Sequence, residues 1–239
     1  MTIRASYEQQ IRELSDLVVT MASMVDKAIG RSIEALRLQN VELARAIRKA
    51  DKDINSLQRR GEDMVITLLA TQGPMAGDLR RIASTMSIFT NLERMGDYAA
   101  GIAKIVIETA DEELLKPLVD IPRMSDIARE MLDDVITAFM HQDVDAAREI
   151  AIRDDDLDDL YDQIFRELLT YMMADTSAIN RATHLLWAAH NIERIGDRVT
   201  NICEQVVYTV TGEFEELDSG RKRRQKFARN GSSDKGVSG

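Results

Sequence analysis

The chain has 239 residues, 44% of them hydrophobic, enough to build a real core and too many for a disordered chain. A formal net charge of −10 excludes a nucleic-acid-binding body, because phosphate backbones select basic faces; cations and basic protein surfaces suit it better. Three prolines, an aromatic content of 5% and an abundance of Ala, Leu, Ile, Met, Glu, Asp and Arg predict an all-α protein with almost no strand.

The lone Cys203 has no internal disulfide partner, and Met1-Thr2-Ile3-Arg4 lacks the apolar run of a secretory signal. The expected compartment is therefore the reducing cytoplasm. The longest apolar stretches, such as 98–107, are interrupted by Lys104 or too short to cross about 30 Å of hydrocarbon, so no membrane span is expected.

Apolar residues at Tyr7, Ile11, Leu14, Val18, Met21, Val25 and Ala28 alternate at spacings of four and three, one face of a long helix ending near Gln39-Asn40. A second helix follows from Leu43 and stops at Thr71-Gln72-Gly73-Pro74. The third runs from Met75 or Asp78 to about Glu108. After it the chain loosens into a linker over 111–122, through Lys116-Pro117 and Ile121-Pro122.

The second half repeats this plan, with helices predicted over about 124–140, 144–173 and 177–210. Gln39, Val41, Ala44, Ile47 and Asp51 match Gln142, Val144, Ala147, Ile150 and Asp154 at an offset of 103. Later segments match at an offset of 100, so three residues are missing from the second copy where the first has Gln72-Gly73-Pro74. Helices of 25–30 residues are about 40–45 Å long, and the chain reads as two tandem antiparallel three-helix bundles over 1–110 and 123–212.

The most informative stretch is Asn91-Leu92-Glu93-Arg94-Met95-Gly96-Asp97, which returns as Asn191-Ile192-Glu193-Arg194-Ile195-Gly196-Asp197, identical at five of seven positions. Positions four apart lie about 40° from each other on a helix, so each Glu and Asp share a face. Two like charges so placed repel, by about 0.2–0.5 kcal/mol when exposed and more when dry, unless a cation sits between them. In an antiparallel hairpin turning near Pro74, Asp51 stands level with Asp97 and Asn55 with Glu93. A turn near Asp175 levels Asp154 with Asp197 and Asp158 with Glu193. Oxygens converging from facing helices are an arrangement that binds multivalent cations. A glycine inside a helix costs about 1 kcal/mol relative to alanine, so Gly96 and Gly196 predict close approach of a neighbouring helix or a ligand. By contrast, Glu130 and Asp134 read as a solvated stripe, their counterparts being Lys27 and Arg31.

The duplicated Glu-Arg-x-Gly-Asp, the segments 51–57 and 154–160, and Leu68-Leu69-Ala70-Thr71-Gln72-Gly73-Pro74 resemble the PhoU family over about residues 5–212. That resemblance implies a six-helix, two-repeat regulator of bacterial phosphate uptake, not an enzyme. It would link the ATPase subunit of a phosphate ABC transporter to a phosphate-sensing histidine kinase and repress phosphate-starvation signalling. It also implies iron or zinc clusters, held at Glu93, Asp97, Glu193 and Asp197, with Asp154 and Asp158 matching and Asp51 and Asn55 matching imperfectly.

Other residues count for less. His190, three before Glu193, could join a site, whereas His184 and His141 read as structural or exposed and Trp187 as core. A carboxylate di-metal oxidase needs Glu-x-x-His on two helices, and neither Glu93 nor Glu193 has a His three residues on. A metal-free scaffold remains, in which Arg94 and Arg194 neutralise the carboxylates. Long amphipathic helices favour a homodimer. The tail over 213–239 is acidic and then basic at Arg221-Lys222-Arg223-Arg224-Gln225-Lys226; it is expected to be disordered, with the basic run able to touch an anionic membrane surface.

Overall fold

A computed structural model describes residues 3–217. Its elements are α1 (Ile3–Leu38), α2 (Val41–Gln72), α3 (Ala76–Glu108), α4 (Asp120–His141), α5 (Val144–Ile152), α6 (Asp154–Ala174), a single 3-10 turn (Thr176–Ala178) and α7 (Ile179–Thr211). Among the described residues there is no strand, and no helix is long and apolar enough to cross a membrane. The plan is the expected six-rod, two-repeat, all-α architecture.

The repeat extends to the backbone of its turns. Gln39 and Gln142 both adopt left-handed φ, at 50° and 56°, and each is followed by a capping side chain. Asn40 accepts from the Leu43 N–H and Asp143 from the Ala146 N–H, both at 3.0 Å, satisfying donors that a helix start leaves open. The matched Gln residues are thus turn formers that end α1 and α4.

Two boundaries differ from expectation. Helix α4 begins at Asp120 rather than near Met124, with Pro122 in its first turn, where its missing N–H costs little. The helix expected over 144–173 is broken at Arg153. There the bonds tighten to i→i+3, the Arg153 N–H donating to Ile150 O at 3.0 Å and the Asp156 N–H to Arg153 O at 3.1 Å. The break makes Asp154, Asp155 and Asp156 the first turn of a new helix, where carboxylates complement the helix dipole.

Helices α1–α3 form one bundle and α4–α7 the other, joined along α3 against α7 and α1 against α4. In the α3–α7 pair, Asn201 donates to Asn91 and Arg194 bonds Tyr98, while Asn191 lies against Gly101. These partners show that α3 and α7 run antiparallel, with the centre of the pairing at Gly96 and Gly196. Asp26 and Arg129, counterparts in the two repeats, clasp each other between α1 and α4 at 2.7 and 3.2 Å. One hydrophobic core runs through both bundles, from Val18, Met21 and Phe89 to Met131, Ile192 and Val199.

The linker is tied down. The Gln39 side chain donates to Glu112 O, Asn180 donates to Glu112 Oε1 at 3.1 Å, and Lys116 pairs with Glu167. Trp187 is not core: it is 57% exposed, because Leu185, Ala188, Ala189 and Ile192 take the buried stripe of α7 and leave it outside. Residues 213–217 lie against α7 and α5. Phe214 stacks on Tyr208 at 4.0 Å, and Arg148 reaches Glu215 at 2.8 Å. The basic run Arg221–Lys226 and the rest of the expected tail lie outside the described residues.

Candidate functional site

Both candidate sites grow from the hairpin geometry. Helix α2 presents Asp51 and Asn55 one turn apart, and α3 presents Glu93 and Asp97 one turn apart. Burial raises the Asp51 pKa, the nearby Asp97 carboxylate raises it further, and a hydrogen bond from Asn55 opposes both. Glu93 is raised by burial first and by Asp97 second, with Asp51 and Glu62 adding and Arg94 opposing. The expected levelling of Asp51 with Asp97 is therefore present as mutual repulsion. Asn55 Nδ2 donates to Asp51 Oδ2 at 3.3 Å, while Asp51 Oδ1 and Asn55 Oδ1 are buried without a hydrogen-bond partner.

Glu62 was missed in the sequence, where nothing pairs it with the duplicated motif; it stands two turns beyond Asn55 on α2. Arg94 lies 3.6 Å from both Glu93 and Asp97, but its side chain is 56% exposed, so these contacts are weak and screened.

The raised carboxyls make a prediction about pH. A carboxyl whose folded pKa exceeds its unfolded value costs stability above the folded pKa, and the cost disappears as pH falls toward the unfolded value. Asp51→Asn, which fixes a neutral side chain, should raise the melting temperature of chelator-treated protein at neutral pH and lose that advantage near pH 4. Thermal unfolding at both pH values checks it, and an equal shift at the two would contradict the repulsion.

In the second repeat Asp154, 2% exposed, opens α6 and stands against Gly196 of α7, with Asp158 one turn further along α6 and Glu193 and Asp197 on either side of Gly196 in sequence. Gly196 is the reason the helices meet so closely. A Cβ there would stand 2.5 Å from Asp154 Oδ1 and 2.6 Å from Leu157 Cδ1; at Gly96 the nearest atom is Ile54 Cδ1 at 3.2 Å. Both glycines thus mark helix approach, as expected, and the second approach is the tighter. Arg194 lies 2.9 Å from Asp197 and bonds Tyr98 across the repeat boundary.

His190 joins this set: Nδ1 lies 3.3 Å from Glu193 Oε2 and the ring packs on Tyr161 at 5.9 Å. Burial, and then Arg194, lower its pKa against the opposing Asp197, which favours the neutral imidazole at pH 7, whose unprotonated nitrogen can serve as a ligand. Tyr161 is raised by burial and then by Glu193 and Asp162. His141 is exposed and bonded to Thr137 O, and His184 packs edge-on against Trp187. Asn91 and Asn191, first in the duplicated motif, belong to the α3–α7 contact and not to either carboxylate set. Cys203 is buried and its thiol pKa pushed up by burial, so it supplies no thiolate at neutral pH.

Among the described residues, no group of three or more His, Cys, Asp or Glu stands converged as a metal cage. The donor chemistry nevertheless fits a multivalent cation. The first set is all oxygen, with two buried oxygens lacking partners and two carboxyls crowded toward protonation; the second adds a neutral imidazole.

The PhoU domain model matches residues 18–106 and again 121–206. The chain is 39% identical over 216 residues to the phosphate-specific transport system accessory protein PhoU homolog of Clostridium acetobutylicum, covering 90% of this chain and 99% of that one. It is 42% identical over 206 residues to the homolog of Aquifex aeolicus, covering 86% and 93%. The crystal structure of PhoU from Pseudomonas aeruginosa superposes with a TM-score of 0.83 at 32% identity, over 87% of this chain and all of that one. The phosphate transport system regulatory protein PhoU from Streptococcus pneumoniae gives 0.81 at 32%, over 87% of this chain and 99% of that one. With two matching domains, a shared six-rod fold and identity of this extent along nearly the whole body, the chain belongs to the PhoU family.

Proposed function

We propose that this protein is a metal-binding regulatory adaptor of phosphate uptake. It couples the ATPase subunit of a phosphate ABC transporter to a phosphate-sensing histidine kinase, and so represses phosphate-starvation signalling. It acts in the cytoplasm by binding, not by catalysis, and as a homodimer. The observation that carries this reading is the duplicated carboxylate set on paired helices, in a chain whose relatives are named as accessory and regulatory proteins of phosphate transport. Asp51, Asn55, Glu93 and Asp97 would hold a cation in the first repeat, and Asp154, Asp158, Glu193 and Asp197 in the second, with iron or zinc as the candidates. A bound cation would offset the repulsion that raises the Asp51 and Glu93 carboxyls.

The experiment is a pull-down with the transporter ATPase subunit and with the kinase, alongside elemental analysis of protein purified without a metal-affinity tag. Capture of both partners and stoichiometric iron or zinc are expected; failure with both partners would leave only the family assignment. A second reading, the metal-free scaffold, is favoured by one contact, the 2.9 Å pair of Arg194 with Asp197. Metal-free protein whose melting is unchanged by chelator would decide for it.

A further inference from the structure

The two repeats differ at one matched place. In the second, Arg153 at the helix break reaches across to α4 and is clasped by Asp134 at 2.6 Å and Glu130 at 2.9 Å, one turn apart. Met131, between the two acids in sequence, is fully buried in the core. At the offset of 103 the first repeat has Ala50 for Arg153, Ala28 for Met131, and Lys27 and Arg31 for Glu130 and Asp134. Both Arg153 and Met131 are thus cut to alanine, and the sign of the clasp is reversed.

Between α1, α2 and α3 lies a cavity of about 160 Å3; in the second repeat Asp134, Ile150 and Arg153, the counterparts of Arg31, Ile47 and Ala50, line a hollow of about 330 Å3 that extends toward His141 and Asp143. Ile47, Ile54 and Gly96 form its buried floor, and Lys27, Arg31 and Ala50 its exposed rim. No described residue forms an ion pair with Lys27 or Arg31. Asp51 also lines the cavity, but the groups acting on its carboxyl are Asp97 and Asn55, not the two cations of α1. The rim charge is thus left for a visitor.

We propose that this cavity binds a carboxylate carried on a short aliphatic stem, the charge-reversed counterpart of Arg153, with the stem over Ile47 and Ile54 and the carboxylate clasped by Lys27 and Arg31. A glutamate side chain of a partner protein and a free aliphatic acid share this chemistry. The apolar floor excludes a fully hydrated anion and selects for the stem, while the paired cations select the sign. The cavity shares Asp51 with the first carboxylate set, so the test is run on chelator-treated protein, where a negative result leaves the adaptor reading untouched.

The test is a methyl NMR titration of the full chain, with labelled Met and Ile, against pentanoate and against pentylammonium. Saturable shifts at Met24, Ile47 and Ile54 are expected with pentanoate, with a preference over the ammonium of at least about tenfold. The K27E/R31D variant should reverse that preference. The K27E/R31D/A50R variant, which copies the second repeat, should bind neither while melting no lower than the parent. A capped alanine-rich peptide with one central glutamate, compared with its glutamine twin, separates the sources. Tighter binding of the glutamate peptide than of pentanoate identifies a protein side chain, and the reverse order a free acid. No saturable shift with pentanoate or with the glutamate peptide, or a preference that charge reversal leaves unchanged, would overturn the proposal.

Discussion

Replacing Glu193 and Asp197 together by Ala should strip metal from the second repeat and leave the first repeat loaded. The two sets share no residue: Asp51, Asn55, Glu93 and Asp97 come from α2 and α3, the others from α6 and α7. A ligand that binds only the folded state stabilises it by about 2.7 kcal/mol at a hundredfold excess over Kd. For a single body of this chain's size that is roughly 5–10 °C of melting temperature, and the double variant should lose it for one site only. Metal content by elemental analysis and melting with and without chelator read the result. Loss of metal from both repeats would show that the sites are coupled through the α3–α7 pair and not independent.

The second large effect is steric. A Cβ at Gly61 would overlap ring atoms of Phe89, which is fully buried and has nowhere to turn, and one at Gly196 meets Asp154 and Leu157. Overpacking of this kind costs about 1–3 kcal/mol, against a helix-propensity gain of about 1 kcal/mol for alanine over glycine. Gly61→Ala and Gly196→Ala should therefore lower stability by up to about 2 kcal/mol, or as much as roughly 8 °C in melting temperature. Gly96→Ala is the internal control. Its nearest neighbour is the flexible end of Ile54 at 3.2 Å, so clash and propensity should nearly cancel. Thermal unfolding of the three variants checks the order, and equal losses at Gly96 and Gly196 would contradict the geometry.

Much of this architecture was legible in the residues because helical periodicity and an internal repeat constrain one another. The apolar stripes gave the rods, the two offsets placed the indel in a turn, and antiparallel pairing put Asp51 at the height of Asp97. What stayed hidden depended on contacts across the repeat boundary or on local backbone. Asn91 and Asn191 look like part of the acidic motif, yet they face the opposite repeat, which no single-helix wheel reveals. Trp187 reads as core by type, but α7 had already filled its buried stripe with smaller residues. Glu130 and Asp134 are the exposed stripe they read as, at 69% and 51%, but their ion pairs with Arg153, nineteen residues beyond Asp134, were hidden because nothing signalled the break that aims it at them.

The break at Arg153 also bears on how the molecule opens. In the first repeat the matching stretch around Ala50 lies inside one continuous helix, whose amides exchange with solvent only if the rod frays from an end or the whole bundle unfolds. In the second repeat the rod has an internal end beside Asp154, stitched by i→i+3 bonds that open more cheaply. Hydrogen exchange should therefore enter the second repeat from its middle, at the first turn of α6. That turn carries Asp154, with Asp158 one turn on, so the more acidic of the two carboxylate sets is built beside the expected point of entry.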